Sequence, residues 1–355
     1  MIRTPLDVAL EGAAVAEDLG VEVAADYGDP VAEERALWEG AGLVDRCARG
    51  AVAVTGPDAI AFLHSLLSQD IAGLSDGEGV HSLLLHPQGK LDVDLRMLRV
   101  GDEGWLDCDV GRGEQLASSL VRFKIRVKAE VEDRTGTWGC LAVRGPKAAE
   151  AVEAASGLTV PEAAHAHLAP GPGVSPKAWG GVRLVRADWP GVPGVDVVGT
   201  LDSLEGAWGE LVGAGVVPAG LTAYEAVRVA AGVPRQGRDL DERTIPQEAF
   251  LDLDAVSFTK GCFLGQELVC RIDTRGHVNR YLRRLDLAAG TRPPVGAEVV
   301  WKGKEVGALS SVAASKAGTV ALGYLRKEVD LPAEVILRWE GGEAPATAIA
   351  LPGRP

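Results

Sequence analysis

The chain has 355 residues, enough for two or three domains. With 46% hydrophobic and 24% charged residues it has the make-up of a globular protein, which excludes a disordered one. Lys and Arg number 36 against 50 Asp and Glu, and the net charge of −14 excludes a diffuse positive field for nucleic acid or anionic membrane.

The first ~30 residues are acidic and Ala-rich and read as a strand or arm leading into the fold. PVAEERALWEGAGLVD, from Pro30, predicts a helix that starts on proline and ends near Gly40 or Gly42. AVAVTG is a short strand. Asp58 then caps a helix with Ile60, Leu63, Leu66 and Leu67 on one face. VHSLLLHPQGKLDVDLRMLRV reads as a β-hairpin turning at Pro87-Gln88-Gly89. GEQLASSLVRFKIRVKAEVED is a helix running into a strand, and the Pro, Gly and Ala of residues 156–181 predict connecting loops. A second αβ portion resumes with VRLVRADWPGVPGVDVVGT and the helices SLEGAWGELVGAG and LTAYEAVRVAAG. Beyond Arg284, short alternating runs separated by Gly, Pro and charge predict a small antiparallel barrel. The domain boundary is placed near residue 285, giving regions 1–285 and 286–355. No internal repeat at a fixed period is evident.

No apolar run approaches the ~18 residues of a membrane helix, and the N-terminus lacks the apolar core of a signal peptide. Five scattered cysteines, Cys47, Cys108, Cys140, Cys262 and Cys270, suit reduced thiols, so a cytoplasmic protein is expected. His81 and His86, five apart on a strand, point to opposite faces and cannot share a metal. Cys262 and Cys270 lack zinc-site spacing, and no metal site is expected. His165 and His167 are assigned to a solvated loop. APGPGVSPKAWGG is not a dinucleotide loop, because prolines interrupt its glycines.

The chemistry-bearing stretch is KGCFLGQELVCRIDTRGHVNR. Gly261 and Gly265 permit a tight turn and close backbone approach. A helix starting at Gln266 would place Cys262 at its N-terminus beside Lys260, and both would favour the thiolate. The alternative is a small buried residue in a glycine-lined turn. From Lys260 to Arg284, Lys260, Arg271, Arg275, Arg280, Arg283 and Arg284 stand against Glu267 and Asp273. That stretch is either a cradle for an anion or a solvated face with local ion pairs.

AYEAVRVAAGVPRQGRDLDERTIPQEAFLDLDAVSFTKGCFLGQELVCR resembles the YgfZ family of folate-binding proteins, relatives of the glycine-cleavage T-protein, an aminomethyltransferase. The KGC-aromatic-x-GQE signature is the most specific mark. VTGPDAIAFLHSLLSQDI and HPQGKLDVDL resemble the family's N-terminal portion, so the likeness covers most of residues 40–285. It implies an α+β fold of three parts in a ring around a folate pocket, ending in an antiparallel β-barrel. It implies tetrahydrofolate or a derivative as ligand, and a role in assembling or repairing iron–sulfur clusters in client enzymes. Family members have also been named tRNA-modifying proteins. In that reading Cys262 is the functional thiol, with Lys260 beside it as the second catalytic candidate.

The resemblance places Tyr224 against the pterin, where an aromatic ring can stack on a flat heterocycle. Arg228, one turn on, would meet a carboxylate or the pterin edge. Asp92 falls near the T-protein's catalytic aspartate, although QGKLDVD separates Asp92 from Asp94 by Val93. Gln266 of the GQE joins the folate-contacting candidates. The family's R-x-E-A-G glutamate is Ala230 here, in RVAAG, and Glu248 of IPQEA is the carboxylate that would replace it. Tyr224 has the alternative of facing core, and Asp92 and Asp94 that of being solvated. The competing readings are a folate-dependent aminomethyltransferase and, least favoured, an RNA-binding module using 260–284.

Overall fold

The structure is a computed structural model and describes residues 2–170 and 179–355. The glycines and prolines of GPGVSPKA lie outside the described residues. The architecture is mixed α+β. A five-stranded sheet is ordered Gly79–Leu85, Leu91–Val100, Glu103–Val110, Arg49–Thr55, Glu130–Asp133. A six-stranded sheet is built around Gly194–Thr200, Trp138–Arg144 and Gly42–Asp45. Three short strands, Ile2–Arg3, Ala14–Asp18 and Val21–Asp26, form a sheet where a strand or arm is expected. The last six strands, from Arg280–Leu287 to Gly342–Ile349, close into an antiparallel barrel, and the first of them runs across residue 285.

Helix Pro30–Glu39 has Asp29 as its cap, whose carboxylate accepts from Ala32 N, and it ends at Gly40 as the sequence requires. Helix Ala59–Leu66 differs from expectation in two respects. Asp58 does not cap it, since its carboxylate accepts from Lys128 N instead. Its buried face is Ala59, Phe62, Leu63 and Leu66, with Ile60 only partly covered. The strand predicted to continue out of GEQLASSLVRF is confined to Glu130–Asp133; Arg126, at φ 58°, lies in the intervening turn.

A repeat absent from the sequence reading emerges here. VTGPDA and VRGPKA, residues 54–59 and 143–148, each end a strand and start a helix at a Gly-Pro pair. Both glycines, Gly56 and Gly145, have positive φ. The two sheets thus share a strand–Gly-Pro–helix unit.

Helix Leu221–Ala230 is the hub. Six of its ten residues are buried, because it packs against helix Pro30–Glu39, strand Val21–Asp26 and the barrel strands Lys304–Ser315 and Gly318–Arg326. No helix among the described residues is long and apolar enough to cross a membrane.

His167 corrects the assignment to a solvated loop. It lies on strand His167–Leu168, is buried, and holds Arg99 O at 3.0 Å and Arg183 Nη1 at 3.1 Å. Arg183 can only donate, so Nδ1 accepts and Nε2 carries the proton. Burial, then the Arg183 charge, push its pKa down to about 4. The unfolded chain therefore takes up the proton first on acidification, and stability is lost as pH falls from about 6.5 towards 4. His167→Gln can keep both hydrogen bonds without titrating. Denaturant unfolding at pH 7 and pH 5 should show the variant losing about 2 kcal/mol less than wild type over that interval.

Candidate functional site

Two motifs far apart in sequence meet in space. Loop 256–265 leaves helix Asp252–Ala255, and Ser257 N donates to Ser68 O. Phe263 is buried, and Leu264 packs against the core beneath the five-stranded sheet. Gly265, at φ 78°, is the N-cap of helix Gln266–Arg275. A Cβ on Gly265 would lie 2.4 Å from His86 O and 3.1 Å from Gly89 Cα. One on Gly89 would lie 2.6 Å from Leu268 Cβ and 2.9 Å from Gly265 O. Glycine against glycine therefore seats the KGCFLGQE loop on the tip of the HPQGK hairpin.

Cys262 is exposed in that loop, three residues before the helix N-cap. Cys47, Cys108 and Cys140 are buried, and burial pushes all three thiols up, Cys140 to about 12. Cys270 is half-buried. Lys260 donates its three protons to backbone carbonyls: His64 O at 2.6 Å, Leu67 O at 2.7 Å and Gln69 O at 3.0 Å. Burial draws its pKa down to about 8, so the amine is charged at neutral pH. Gln266 opens the helix, half-buried.

Asp92 is buried next to the tip of the hairpin. Its carboxylate accepts from Gln115 Nε2 at 2.6 Å and Ser119 Oγ at 2.8 Å, with His86 Nε2 at 3.8 Å. Asp94 holds His81 at 2.5 Å. Asp94 outweighs burial there, and the His81 pKa is raised. These residues belong to a polar sheet face that continues through Arg96, Asp107 and Asp109. Arg96 bridges Asp107 and Asp196 at 2.7 Å each, so this face meets the six-stranded sheet through buried ion pairs.

Towards the centre the ion pairs become a network. Arg235 binds Asp18 at 2.8 Å, Asp109 at 3.0 Å and Glu225 at 3.0 Å. Arg46 binds Asp109 at 3.0 Å and Asp18 at 3.4 Å. Arg228, fully buried, is committed to Glu225, Asp239, Ser311 Oγ and Val233 O, and ties the hub helix to the barrel. Burial opposes ionisation of Glu225, but Arg228 and then Arg235 hold its pKa down to about 2.

Tyr224 is buried within this network. Arg46 and Arg235 lie over its ring at 4.7 and 6.0 Å, and Trp189 meets it edge-on at 5.3 Å. The adjoining cavity, lined by Asp18, Asp45, Arg46 and Gly220, is about 20 Å³. That holds a water molecule and not a pterin. Arg46 lines it, and its buried Nε has no hydrogen-bond partner among the described residues. Glu248 is also committed, to Arg280 at 3.0 Å through both oxygens and to Ile245 N. Ala230 presents a methyl group, and its carbonyl accepts from Arg284. As arranged here, Tyr224, Arg228 and Glu248 do not fit a stacked pterin.

The basic stretch is largely engaged in contacts within the chain. Arg280 pairs with Glu248, Arg284 with Asp286, and Arg283 lies over Phe250 and Tyr281. Arg271 and Arg275 remain exposed. Sequence reasoning missed Asp18, Arg46, Asp109 and Arg235. The alternation in LDVDLR and LDCDV, which puts carboxylates on one strand face, was the available signal for Asp109.

The family described as the GCVT N-terminal domain matches residues 7–260. An aminomethyltransferase of Rubrobacter xylanophilus is 28% identical over 99% of this chain and 93% of its own length. That of Lysinibacillus sphaericus is 26% identical over 87% and 85%. The crystal structure of glycine cleavage system aminomethyltransferase T from Bartonella henselae superposes with a TM-score of 0.87 at 24% identity, over 99% of this chain and 97% of that one. The fold is the same.

Proposed function

Because the chain belongs to the GCVT domain family, with its aminomethyltransferase-like folate-binding fold, we propose that it is a YgfZ-type protein supporting assembly or repair of iron–sulfur clusters in client enzymes. Its working group is the Cys262 thiol. The observation that carries this reading is an exposed thiol in a loop seated on the hairpin tip, while three other cysteines are buried.

Folate as the ligand rests on family membership. A pterin stacking on Tyr224 would first have to displace Arg46 from the ring. The aminomethyltransferase reading draws on the curated relatives, which span most of the chain. Against it stand Ala230 and the engagement of the Asp92 carboxylate by Gln115 and Ser119.

One experiment separates the two. The gene is deleted in its host and restored as wild type, Cys262→Ser or Asp92→Asn, and several iron–sulfur enzymes and coupled glycine cleavage are assayed. The expected result is loss of iron–sulfur enzyme activity on deletion, with rescue by wild type and Asp92→Asn but not by Cys262→Ser. Full rescue by Cys262→Ser sinks the thiol role. Glycine cleavage that depends on Asp92 establishes the transferase instead.

A further inference from the structure

Helix Ala59–Leu66 ends at Leu67 in extended backbone, so its last carbonyls lack helical donors. Lys260, from another part of the chain, supplies one to His64 O and also reaches the C-cap carbonyl of Leu67 and that of Gln69 just beyond it. An ammonium has three protons, and three carbonyls, of His64, Leu67 and Gln69, receive them within 3.0 Å. A cation at this end of a helix is also favoured by its dipole. Three residues on, Phe263 enters the core with its ring 5.5 Å from the ammonium, and Gly265 locks onto the hairpin. Cys262 is thus held between two fixed points, with its own side chain left outside.

We propose that Lys260 is a positioning residue: it latches the Cys262 loop to the carbonyl end of helix Ala59–Leu66 and does not activate the thiol. This rests on Cys262 being the working thiol. The ionisable side chains facing the ammonium are Asp70, in the loop that follows the helix, and His64, on the helix itself. The His64 imidazole accepts from Ile71 N and Ala72 N at 3.3 Å, which requires a neutral Nδ1. The Lys260 charge helps to keep it so, after burial.

The test uses the full chain as wild type, Lys260→Met and Lys260→Arg, each with Cys270→Ser. Cys262 alkylation by iodoacetamide is followed against pH, and amide exchange of 257–264 is measured in parallel. A latch predicts exchange at least about tenfold faster in Lys260→Met, since three hydrogen bonds from a charged group are lost from the loop. It also predicts an alkylation profile not displaced along the pH axis, and slow exchange restored in Lys260→Arg. A profile displaced to higher pH in Lys260→Met, or unchanged exchange, overturns the proposal. Should Lys260→Met fail to fold, nitrogen-15 NMR of wild type decides. A latched ammonium gives a slowly exchanging Nζ–H resonance, and its absence refutes the latch. None of these readouts depends on client activity, so failure of the latch and failure of the thiol role in complementation are told apart.

Discussion

Arg235→Met should destabilise the protein by about 3–5 kcal/mol at pH 7, the usual consequence of taking one partner from a buried ion pair. Arg235 is 4% exposed and its guanidinium touches three carboxylates, of Asp18, Asp109 and Glu225. Asp18 sits on the N-terminal sheet, Asp109 on the five-stranded sheet and Glu225 on the hub helix. One side chain therefore joins three parts of the fold. Methionine fills much of the volume but leaves Asp18 and Asp109 sharing only Arg46, with Arg238 on Asp18 alone at the rim. The pH dependence should change too. In wild type, burial opposes ionisation of Asp109, but Arg235 and Arg46 hold its carboxyl far below the usual range. It contributes stability that is present above about pH 4 and lost on acidification. Without Arg235 the burial penalty gains on the remaining attraction, so the gap between variant and wild type should narrow from pH 7 to pH 4. Urea unfolding across that range measures both effects. A loss below about 1 kcal/mol with an unchanged gap would show that the network is solvated and not buried.

The sequence made the elements legible wherever one period or one punctuating residue decided them. Pro30 and Gly40 bound a helix, Pro87-Gln88-Gly89 turns a hairpin, and alternation beyond Arg284 closes a barrel. It made the meeting of hairpin and cysteine loop invisible, because Gly89 and Gly265 are 176 residues apart and nothing local in either demands the other. The surroundings of the central helix were hidden for a related reason. Tyr224 and Arg228 sit on one helix and suggest a binding face, but what covers a helix is set by other elements. Here Arg46 follows a strand of the six-stranded sheet and Arg235 comes from the loop after the helix, and both reach the Tyr224 ring. Lys260 illustrates the same limit. Two residues from a thiol, it suggests an activating charge, yet a helix end and the turn after it, 191 to 196 residues away in sequence, claim all three of its protons.

Gly265→Ala should cost about 2–4 kcal/mol, whereas Gly261→Ala, on the other side of the cysteine, should fall within about 0.5 kcal/mol of wild type. The two glycines look equivalent in GCFLG, and the structure separates them. Gly265 has φ 78°, where an L side chain costs roughly 1–2 kcal/mol. Its new Cβ would also stand 2.4 Å from His86 O and 2.9 Å from Leu85 Cβ. These neighbours belong to the backbone or sit directly on it and cannot rotate away, so overpacking adds about 1–3 kcal/mol. Gly261 has no such φ and nothing within 4 Å of a Cβ. Thermal and denaturant unfolding of both variants tests the stability half. The functional half follows from the same contact. If the loop must separate from the hairpin to admit a methyl group, Cys262 moves with it. Gly265→Ala should then lose client activity in complementation at a temperature where it remains folded, while Gly261→Ala keeps it. Equal rescue by both would mean that the thiol works without its seat on the hairpin, and that the glycine contact serves folding alone.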